Sequence, residues 1–321
     1  MKMKNRDFIS LKDFTRSELE GLLDLALEMK AGRNKQQYLT GKSIGMLFTV
    51  ASTRTRISFQ VAAHQLGAHA EHYKNTDLQL SNHETLVDTA EVMSRLLDAI
   101  IVRMYDMSCY GKGRESLNLM AEHSKVPVIN ALDDKDHPCQ VMGDILTLKE
   151  KFGGNYKKKK IVLAWAYAKR QKSPGVLHSM LTAASLLGMN VTFAHPQGFE
   201  LDEEYVCFAR KKATESGASI GFSNDLDEAC DGADAIYAKS YMGLKMSKEE
   251  DERHRYEFRN SWRISEQHFK RANSGAYFMD CMPLIRGDEA TADVVDGKNS
   301  IRYDQAENRL HIQKAILASI L

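Results

Sequence analysis

The chain has 321 residues, of which 27% are charged, and its formal net charge is +1. This length predicts two domains that each bury a core, and the balanced charge gives no reason to expect a nucleic-acid or membrane partner. The start of the chain lacks the apolar segment of a signal peptide, and no apolar run is long enough to span a membrane. Five cysteines without a C-x-x-C pair favour a reduced, cytoplasmic protein with no structural metal.

The first part of the chain alternates between predicted helices and strands. Thr15 and Glu18 form a capping-box pattern at the start of a helix. Predicted strands follow at 43–49, 99–102 and 126–130, with a short segment around 69–73 and a polar loop over 75–85. A long helix begins at His137 and is expected to lead into the second domain. Strands that alternate with helices imply a mostly parallel sheet.

A turn rich in hydroxyls and arginines, Ser52-Thr53-Arg54-Thr55-Arg56, joins the strand over 43–49 to an amphipathic helix. The first N–H groups of a helix lack intrahelical partners and the helix dipole is positive there, so this turn suits an anion. Because Arg54 and Arg56 face different sides of the helix, we assign Arg54 to the anion and Arg56 to a structural ion pair. The alternative is a helix cap followed by solvated arginines. In the helix, Ile57, Val61 and Leu66 lie at roughly the spacing of a buried face.

A second α/β series follows the glycines at 153–154. Its predicted strands are 161–164, 191–194, 219–222, 235–237 and 277–279, and a closing helix with an apolar face covers 307–321. The lysine run over 157–160 is more typical of a solvated strand edge than of a nucleic-acid site. We therefore expect one domain over 1–147, completed by the helix 307–321, and a second over 148–306.

Five motifs in this order resemble those of the aspartate/ornithine carbamoyltransferase family. They are Ser52-Thr-Arg-Thr-Arg-Ile-Ser-Phe59, Arg103, His137-Pro-Cys-Gln140, Asp280-Cys-Met-Pro283 and Glu307-Asn-Arg309. The resemblance implies two doubly wound, parallel-sheet α/β domains with the site in the cleft between them. It implies transfer of a carbamoyl group from carbamoyl phosphate to a small amine, with release of phosphate and no metal or organic cofactor. It also implies a homotrimer in which the loop around Gln79–His83 reaches a neighbour's site.

The same resemblance assigns roles to individual residues. It implies a carbamoyl phosphate site made of Ser52, Thr53, Arg54, Thr55, Gln79, Arg103, His137, Gln140, Cys281, Met282 and Arg309. Among these, Arg103, His137 and Cys281 are the expected catalytic residues, and Arg103 and His137 are expected on the carbamoyl oxygen. Gln140 lies three residues after His137, on the same helical face, and would bind the carbamoyl NH2. Taken singly, each would ordinarily be a cap, a surface ion pair or a core residue.

Two stretches depart from the ornithine enzymes of the family. Where those enzymes have an Asp that binds the α-ammonium, Tyr237-Ala-Lys-Ser-Tyr-Met-Gly243 has Lys239, which would attract a carboxylate. This stretch and the stretch 165–174 resemble the knotted acetylornithine and succinylornithine carbamoyltransferases and a related knotted group, which implies a shallow knot in the second domain. Alternatively, Lys239 is a surface lysine paired with an acid of Glu249–Asp251. Asp280 replaces the family's usual His, which favours a cationic acceptor or weakens catalysis.

The predicted function is thus transfer of a carbamoyl group to an amino-acid-like acceptor other than free ornithine or aspartate. The residues expected to bind the acceptor are Trp165, Lys239, Met242 and Asp280. One alternative is a catabolic enzyme of the ornithine or putrescine type, because the stretches 286–291 and 296–300 resemble those enzymes. Another is a non-catalytic relative that only binds carbamoyl phosphate.

Overall fold

Parallel strands form a separate sheet in each half of the computed structural model, which describes residues 3–321. One unit consists of the chain up to Leu146 together with Ala306–Leu321, and the other of Thr147–Gln305. Every neighbouring pair of strands in both sheets is parallel. The predicted class of two parallel-sheet α/β domains is therefore confirmed. In the described part of the chain, no helix has the length and apolar character needed to cross a membrane.

The first unit has a four-stranded sheet in the order β2-β1-β3-β4. Its strands are β1 (Ser43–Phe48), β2 (His69–Lys74), β3 (Ala99–Arg103) and β4 (Val128–Leu132). Its helices are α1 (Arg16–Lys30), α2 (Thr53–Gln65), α3 (Leu86–Leu96) and α4 (Lys112–His123), with 3-10 turns at Leu11–Asp13, Asn75–Asp77 and Gln79–Asn82. The fourth strand begins two residues later than predicted because Pro127 has no N–H to donate to a neighbour.

The second unit has a five-stranded sheet in the order β7-β6-β5-β8-β9. Two helices, α5 (Pro138–Phe152) and α12 (Arg302–Ile320), have residues in both units. The strands are β5 (Lys160–Trp165), β6 (Asn190–Ala194), β7 (Ser219–Ser223), β8 (Ala235–Lys239) and β9 (Tyr277–Met279). The other helices are α6 (Gly175–Leu187), α7 (Glu203–Ser216), α8 (Leu226–Cys230), α9 (Lys248–Glu257), α10 (Glu266–Arg271) and α11 (Ala292–Val295), and a 3-10 turn covers Gly153–Lys158.

The predicted capping box of α1 is present. The hydroxyl of Thr15 accepts from the backbone N–H of Glu18 at 3.3 Å, and the Glu18 carboxylate accepts from the backbone N–H of Thr15 at 2.8 Å. This reciprocal pair satisfies two N–H groups that the helix itself leaves without partners.

The predicted buried face of α2 is wrong at two of its three residues, and only Leu66, which is 1% exposed, is buried as predicted. Ile57 and Val61 are 55% and 36% exposed. The buried positions are Thr55, Ser58, Phe59, Ala62 and Ala63, which follow the helical period from Thr55. Ile57, two positions after Thr55, lies about 200° around the helix from it and therefore on the opposite, exposed side.

Gly113 lies where the first turn of α4 meets the loop after β3. A Cβ at this position would lie 2.5 Å from the carbonyl oxygen of Met104 and 2.9 Å from the Cα of Tyr105, both of which are backbone atoms. We expect Gly113→Ala to lower the free energy of unfolding by about 1–3 kcal/mol, since the backbone must shift to admit the methyl group. Urea denaturation followed by circular dichroism measures this change. Gly154→Ala is the control, because a Cβ there has no neighbour within 4 Å, and equal midpoints for the two variants would contradict the prediction.

Candidate active site

In the first unit, a backbone hydrogen bond joins the ends of β1 and β3 just before the hydroxyl-rich turn. The backbone N–H of Thr49, just after β1, donates to the carbonyl of Arg103 at 3.0 Å. The turn then enters α2, where the hydroxyl of Ser52 accepts from the N–H of Thr55 at 3.3 Å and caps the helix. Arg103 and the start of α2 are therefore fixed at one edge of the sheet, where strands and helix dipole favour an anion.

Arg309 of α12 joins this edge. Its Nη1 donates to Oε1 of Gln140 at 2.9 Å, and its Nη2 donates to the hydroxyl of Thr55 at 2.5 Å. Burial lowers the pKa of Arg309 to about 10, and the positive charges of Arg103 and Arg54 add to this effect. The structure thus brings together residues of four predicted motifs, those containing Thr55, Arg103, Gln140 and Arg309.

Two arginines of this cluster keep an unused donor. The Nε groups of Arg54 and Arg309 are buried and have no hydrogen-bond partner in the described part of the chain. Leaving a buried donor without an acceptor costs about 1–3 kcal/mol, and more when the group is charged. The three guanidinium groups repel one another, and two of their N–H donors lack acceptors. A multiply charged anion would reduce the repulsion and accept from these donors.

The start of α5 is held by the loop that precedes it. The carboxylate of Asp133 accepts from the side chain of Arg114 at 2.6 Å and from the backbone N–H of Asp136 at 2.5 Å. His137, which follows, is 5% exposed. Gln140 lies on the same helix with its NH2 donating to Asp144 at 2.8 Å, so its carbonyl oxygen is oriented toward Arg309.

A cavity of about 720 Å³ opens beside the turn and is lined in part by Ser52, Thr53 and Arg56. The expected structural ion pair of Arg56 is wrong, because this exposed arginine forms no salt bridge with any described residue. Its charge is directed at the cavity wall instead. Burial lowers the pKa of His72, which also lines the cavity, and the charge of Arg56 lowers it further.

Gln79 is not brought to the arginine cluster of its own chain. It lies exposed in a 3-10 turn, and its Oε1 accepts from the side chain of Asn82 at 3.0 Å. Its assignment to carbamoyl phosphate stays a prediction, since the resemblance gives this loop to a neighbour's site.

In the second unit, Lys239 ends β8 and is 6% exposed. Its Nζ donates to the carbonyl of Ser240 at 2.6 Å, and burial lowers its pKa. The alternative of a surface lysine paired with an acid of Glu249–Asp251 is wrong, because the buried Asp251 instead pairs with Arg255 at 2.7 Å. Lys239 is therefore a buried cation whose three donors have a single acceptor among the described residues.

Asp280 follows β9, the strand paired with β8, and is 3% exposed. Its Oδ1 accepts from the backbone N–H of Met282, and its own backbone N–H donates to the side chain of Gln305 at 2.9 Å. Burial raises the pKa of Asp280 to about 6, with a further contribution from the negative charge of Glu289. Cys281, between Asp280 and Met282, is half-buried and forms no disulfide with any described residue.

Trp165 and Met242 lie in the same unit, and their assignment to the acceptor stays a prediction. Trp165 has no exposed surface, and its indole N–H donates to the carbonyl of Tyr241 at 3.0 Å. Met242 is 8% exposed, and its backbone N–H donates to the carbonyl of Lys172 at 3.0 Å. The hydrogen bond of Trp165 fixes the loop after β8.

Sequence reasoning missed two ion pairs around these residues. Lys172 pairs with Glu289, and Arg255 pairs with Asp251. The second pair carried a signal, because Asp251 and Arg255 stand at helical i,i+4 spacing. The first joins residues 117 apart in the sequence and could not be read from spacing.

Comparison with known proteins matches both units. Residues 6–150 match the carbamoyl-P binding domain, and residues 158–320 the Asp/Orn binding domain, of aspartate/ornithine carbamoyltransferase. The ornithine carbamoyltransferase of Halalkalibacterium halodurans is 40% identical over 99% of this chain and 96% of its own length. The solved ornithine carbamoyltransferase from Pyrococcus furiosus has a TM-score of 0.88 at 38% identity, covering 100% of this chain and 98% of that one. Acetylornithine transcarbamylase complexed with acetylcitrulline has a TM-score of 0.91 at 35% identity, covering 98% and 99%.

Proposed function

Because this chain belongs to the aspartate/ornithine carbamoyltransferase family and is a carbamoyltransferase, we propose that it carbamoylates the amine of an amino-acid-like acceptor other than free ornithine or aspartate. The donor is carbamoyl phosphate, and phosphate is released. The observation that carries the proposal is the arginine cluster of the first unit, where Arg54 and Arg309 keep buried donors without acceptors. A dianionic phosphate supplies the missing acceptors.

In this reaction the amine nitrogen forms a bond to the carbamoyl carbon while the bond from that carbon to the phosphate oxygen breaks. The capped start of α2 and the side chain of Arg54 bind the phosphate group. Arg103 and His137 act on the carbamoyl oxygen, where negative charge develops in the transition state. Gln140 accepts from the carbamoyl NH2 through the oxygen that also faces Arg309. Positioning and charge suffice for this chemistry, so the proposal includes no cofactor.

We assign the acceptor to the second unit, and we keep Cys281 and Met282 as carbamoyl phosphate ligands because the family resemblance implies them. Support for a carboxylated acceptor comes from Lys239, a buried ammonium with two donors that no described residue uses. A carboxylate is the group that best satisfies these donors. An α-ammonium a few ångströms from Lys239 would be repelled by about 4 kcal/mol at an intermediate dielectric.

The experiment that tests the function is a screen for carbamoylation. The protein is incubated with carbamoyl phosphate and, separately, N-acetylornithine, ornithine, putrescine or aspartate. Mass spectrometry detects the ureido product, and a phosphate assay measures turnover. Product with at least one amine supports the proposal. Binding of carbamoyl phosphate without turnover on any amine would favour the non-catalytic alternative.

Ornithine remains the rival acceptor because the curated relatives at 37–40% identity are named ornithine carbamoyltransferases. Asp280 favours it as well, since a buried carboxylate can pair with an α-ammonium. The structural relative bound to acetylcitrulline favours an N-acylated acceptor. We choose the N-acylated acceptor because of the positive charge at position 239.

We expect the wild type to carbamoylate N-acetylornithine more efficiently than ornithine, and Lys239→Asp to shift the ratio of their kcat/KM values toward ornithine by about a hundredfold or more. The physical reason is the exchange of a cation for an anion next to the α-substituent. Lys239→Met is the matched control, because it removes the charge without adding an acid. It should lower activity on N-acetylornithine and relieve the repulsion of ornithine, so it should shift the ratio in the same direction as Lys239→Asp but by less. Preference of the wild type for free ornithine would refute this assignment.

The proposal extends to assembly and location. A homotrimer is supported by the resemblance to the family, and the exposed side chains of Ile57, which lines the cavity, and of Val61 are available to a neighbouring subunit. A shallow knot is supported by the stretch 165–174, which resembles the knotted relatives. Cytoplasmic location is supported by the five cysteines, since none of them forms a disulfide within the described residues.

A further inference from the structure

We propose that Asp280 is a catalytic base. Its carboxylate takes the proton that the ammonium of the acceptor must lose before the nitrogen can attack the carbamoyl carbon. This inference rests on the proposed function and assigns it a residue that departs from the family's usual His.

The carboxylate of Asp280 is fixed but not used up. Oδ1 is held by the backbone N–H of Met282, and the backbone of Asp280 is held by Gln305. Oδ2 has no hydrogen-bond donor, and Asp280 has no salt bridge, among the described residues. Asp280 is only 3% exposed, and a carboxylate of such a residue normally has a cation or several donors around it. One oxygen is thus presented without a protein partner.

The lysines near Asp280 are engaged elsewhere. Lys172 donates to Glu289 and to the carbonyl of Pro283. Lys239 donates to the carbonyl of Ser240. Both contribute positive charge that lowers the pKa of Asp280, while burial and Glu289 raise it more. These groups, with the thiol of Cys281 that interacts with Lys239, are the titratable groups that face the site within the second unit.

This balance suits a base at neutral pH. Burial is the main reason that the pKa of Asp280 rises to about 6. The group is then mostly ionised at pH 7 and ready to accept a proton, and it is far more basic than an ordinary exposed Asp. As the pH falls through about 6, the carboxyl becomes protonated and the rate should fall with it.

An alkylammonium transfers one proton to Oδ2 of Asp280 and becomes a neutral amine, whose lone pair attacks the carbamoyl carbon. The carbon–oxygen bond to phosphate breaks with its electron pair on phosphate. The nitrogen's second proton goes to the phosphate, giving hydrogen phosphate and a ureido product. Asp280 then releases its proton to solvent, which restores the carboxylate.

The test compares Asp280→Asn with the wild type over pH 5 to 9, using the fastest acceptor among N-acetylornithine, ornithine, putrescine and aspartate. Asn keeps the shape and an oxygen for the N–H of Met282, so the loop should remain in place. We expect kcat at pH 7 to fall by about a hundredfold or more, the acidic limb near pH 6 to disappear, and the affinity for carbamoyl phosphate to stay unchanged. Asp280→His, which restores a titratable acceptor, should recover part of the loss with a displaced acidic limb.

Other outcomes of these experiments would contradict the base role of Asp280. If Asp280→Asn raises only the KM of the acceptor and leaves kcat and its pH profile unmoved, Asp280 merely pairs with the ammonium and the base role is wrong. If Asp280→Asn does not fold, an acidic limb in Asp280→His that coincides with the wild-type limb overturns the proposal. Failure of the wild type to carbamoylate any of the four amines would instead remove the proposed function, and the base role with it.

Discussion

Arg54→Ala lowers the affinity for carbamoyl phosphate by about a hundredfold or more. Truncating one partner of a largely desolvated, hydrogen-bonded charge pair costs about 2–5 kcal/mol, and each 1.4 kcal/mol is about a factor of ten. Arg54 is half-buried at the start of α2 and has a buried Nε without a partner, so its donors are available to a phosphate. Isothermal titration calorimetry with carbamoyl phosphate measures the change.

The matched control is Arg56→Ala. This arginine has the same charge two residues further along, but it is exposed and faces another side of the helix. Its removal should change the affinity by less than about threefold, in the range of exposed charge contacts. Equal losses of affinity in the two variants would mean that the anion responds to overall positive charge and not to a specific contact with Arg54. An unchanged affinity in Arg54→Ala would show that the anion binds elsewhere.

The anion-binding edge could be predicted because its information is local. A strand, a turn of hydroxyls and an arginine, and a helix start occupy consecutive residues, and each element has a sequence signal. The contact that completes this anion-binding edge joins residues far apart in the sequence. Arg309 reaches Thr55 across 254 residues of sequence, and only the order of the family motifs suggested this meeting.

The burial of side chains was harder to predict than the elements that carry them. Ile57 and Val61 have the hydrophobicity of core residues, yet α2 exposes them, because the face that contains Phe59 is the one that packs inward. Lysine is ordinarily a surface residue, but Lys239 is buried at the end of β8, which pairs with β9. The burial of Lys239 depends on which strands lie next to β8, and the residues of β8 alone do not determine those neighbours.

The acceptor side depends on an ion pair that sequence analysis did not identify. Arg255 is 1% exposed and Asp251 is fully buried. Two hydrogen bonds of 2.7 and 3.0 Å run from Nη2 of Arg255 to the carboxylate. Arg255 also donates to the hydroxyl of Ser240 at 2.7 Å and to the carbonyl of Tyr241 at 3.0 Å. The pair therefore fixes the loop directly after Lys239.

Asp251 extends the same network to a second loop. Its Oδ2 accepts from the side chain of Gln171 at 2.9 Å and from the N–H of Gly243 at 3.3 Å. The guanidinium of Arg255 lies 5.5 Å from the ring centre of Trp165. Two loops and a buried indole thus depend on one charge pair, which makes its removal more damaging than the loss of one hydrogen bond.

We expect Arg255→Met to lower the free energy of unfolding by about 3–5 kcal/mol, because it leaves the carboxylate of Asp251 buried without its cation. Urea denaturation measures the loss, and Arg253→Met is the matched control, since Arg253 lies exposed on the same helix. The double variant Asp251→Leu/Arg255→Met should be more stable than Arg255→Met alone, because it removes the uncompensated charge. A loss below about 1 kcal/mol in Arg255→Met, or a double variant less stable than the single one, would show that the pair is not what holds these loops.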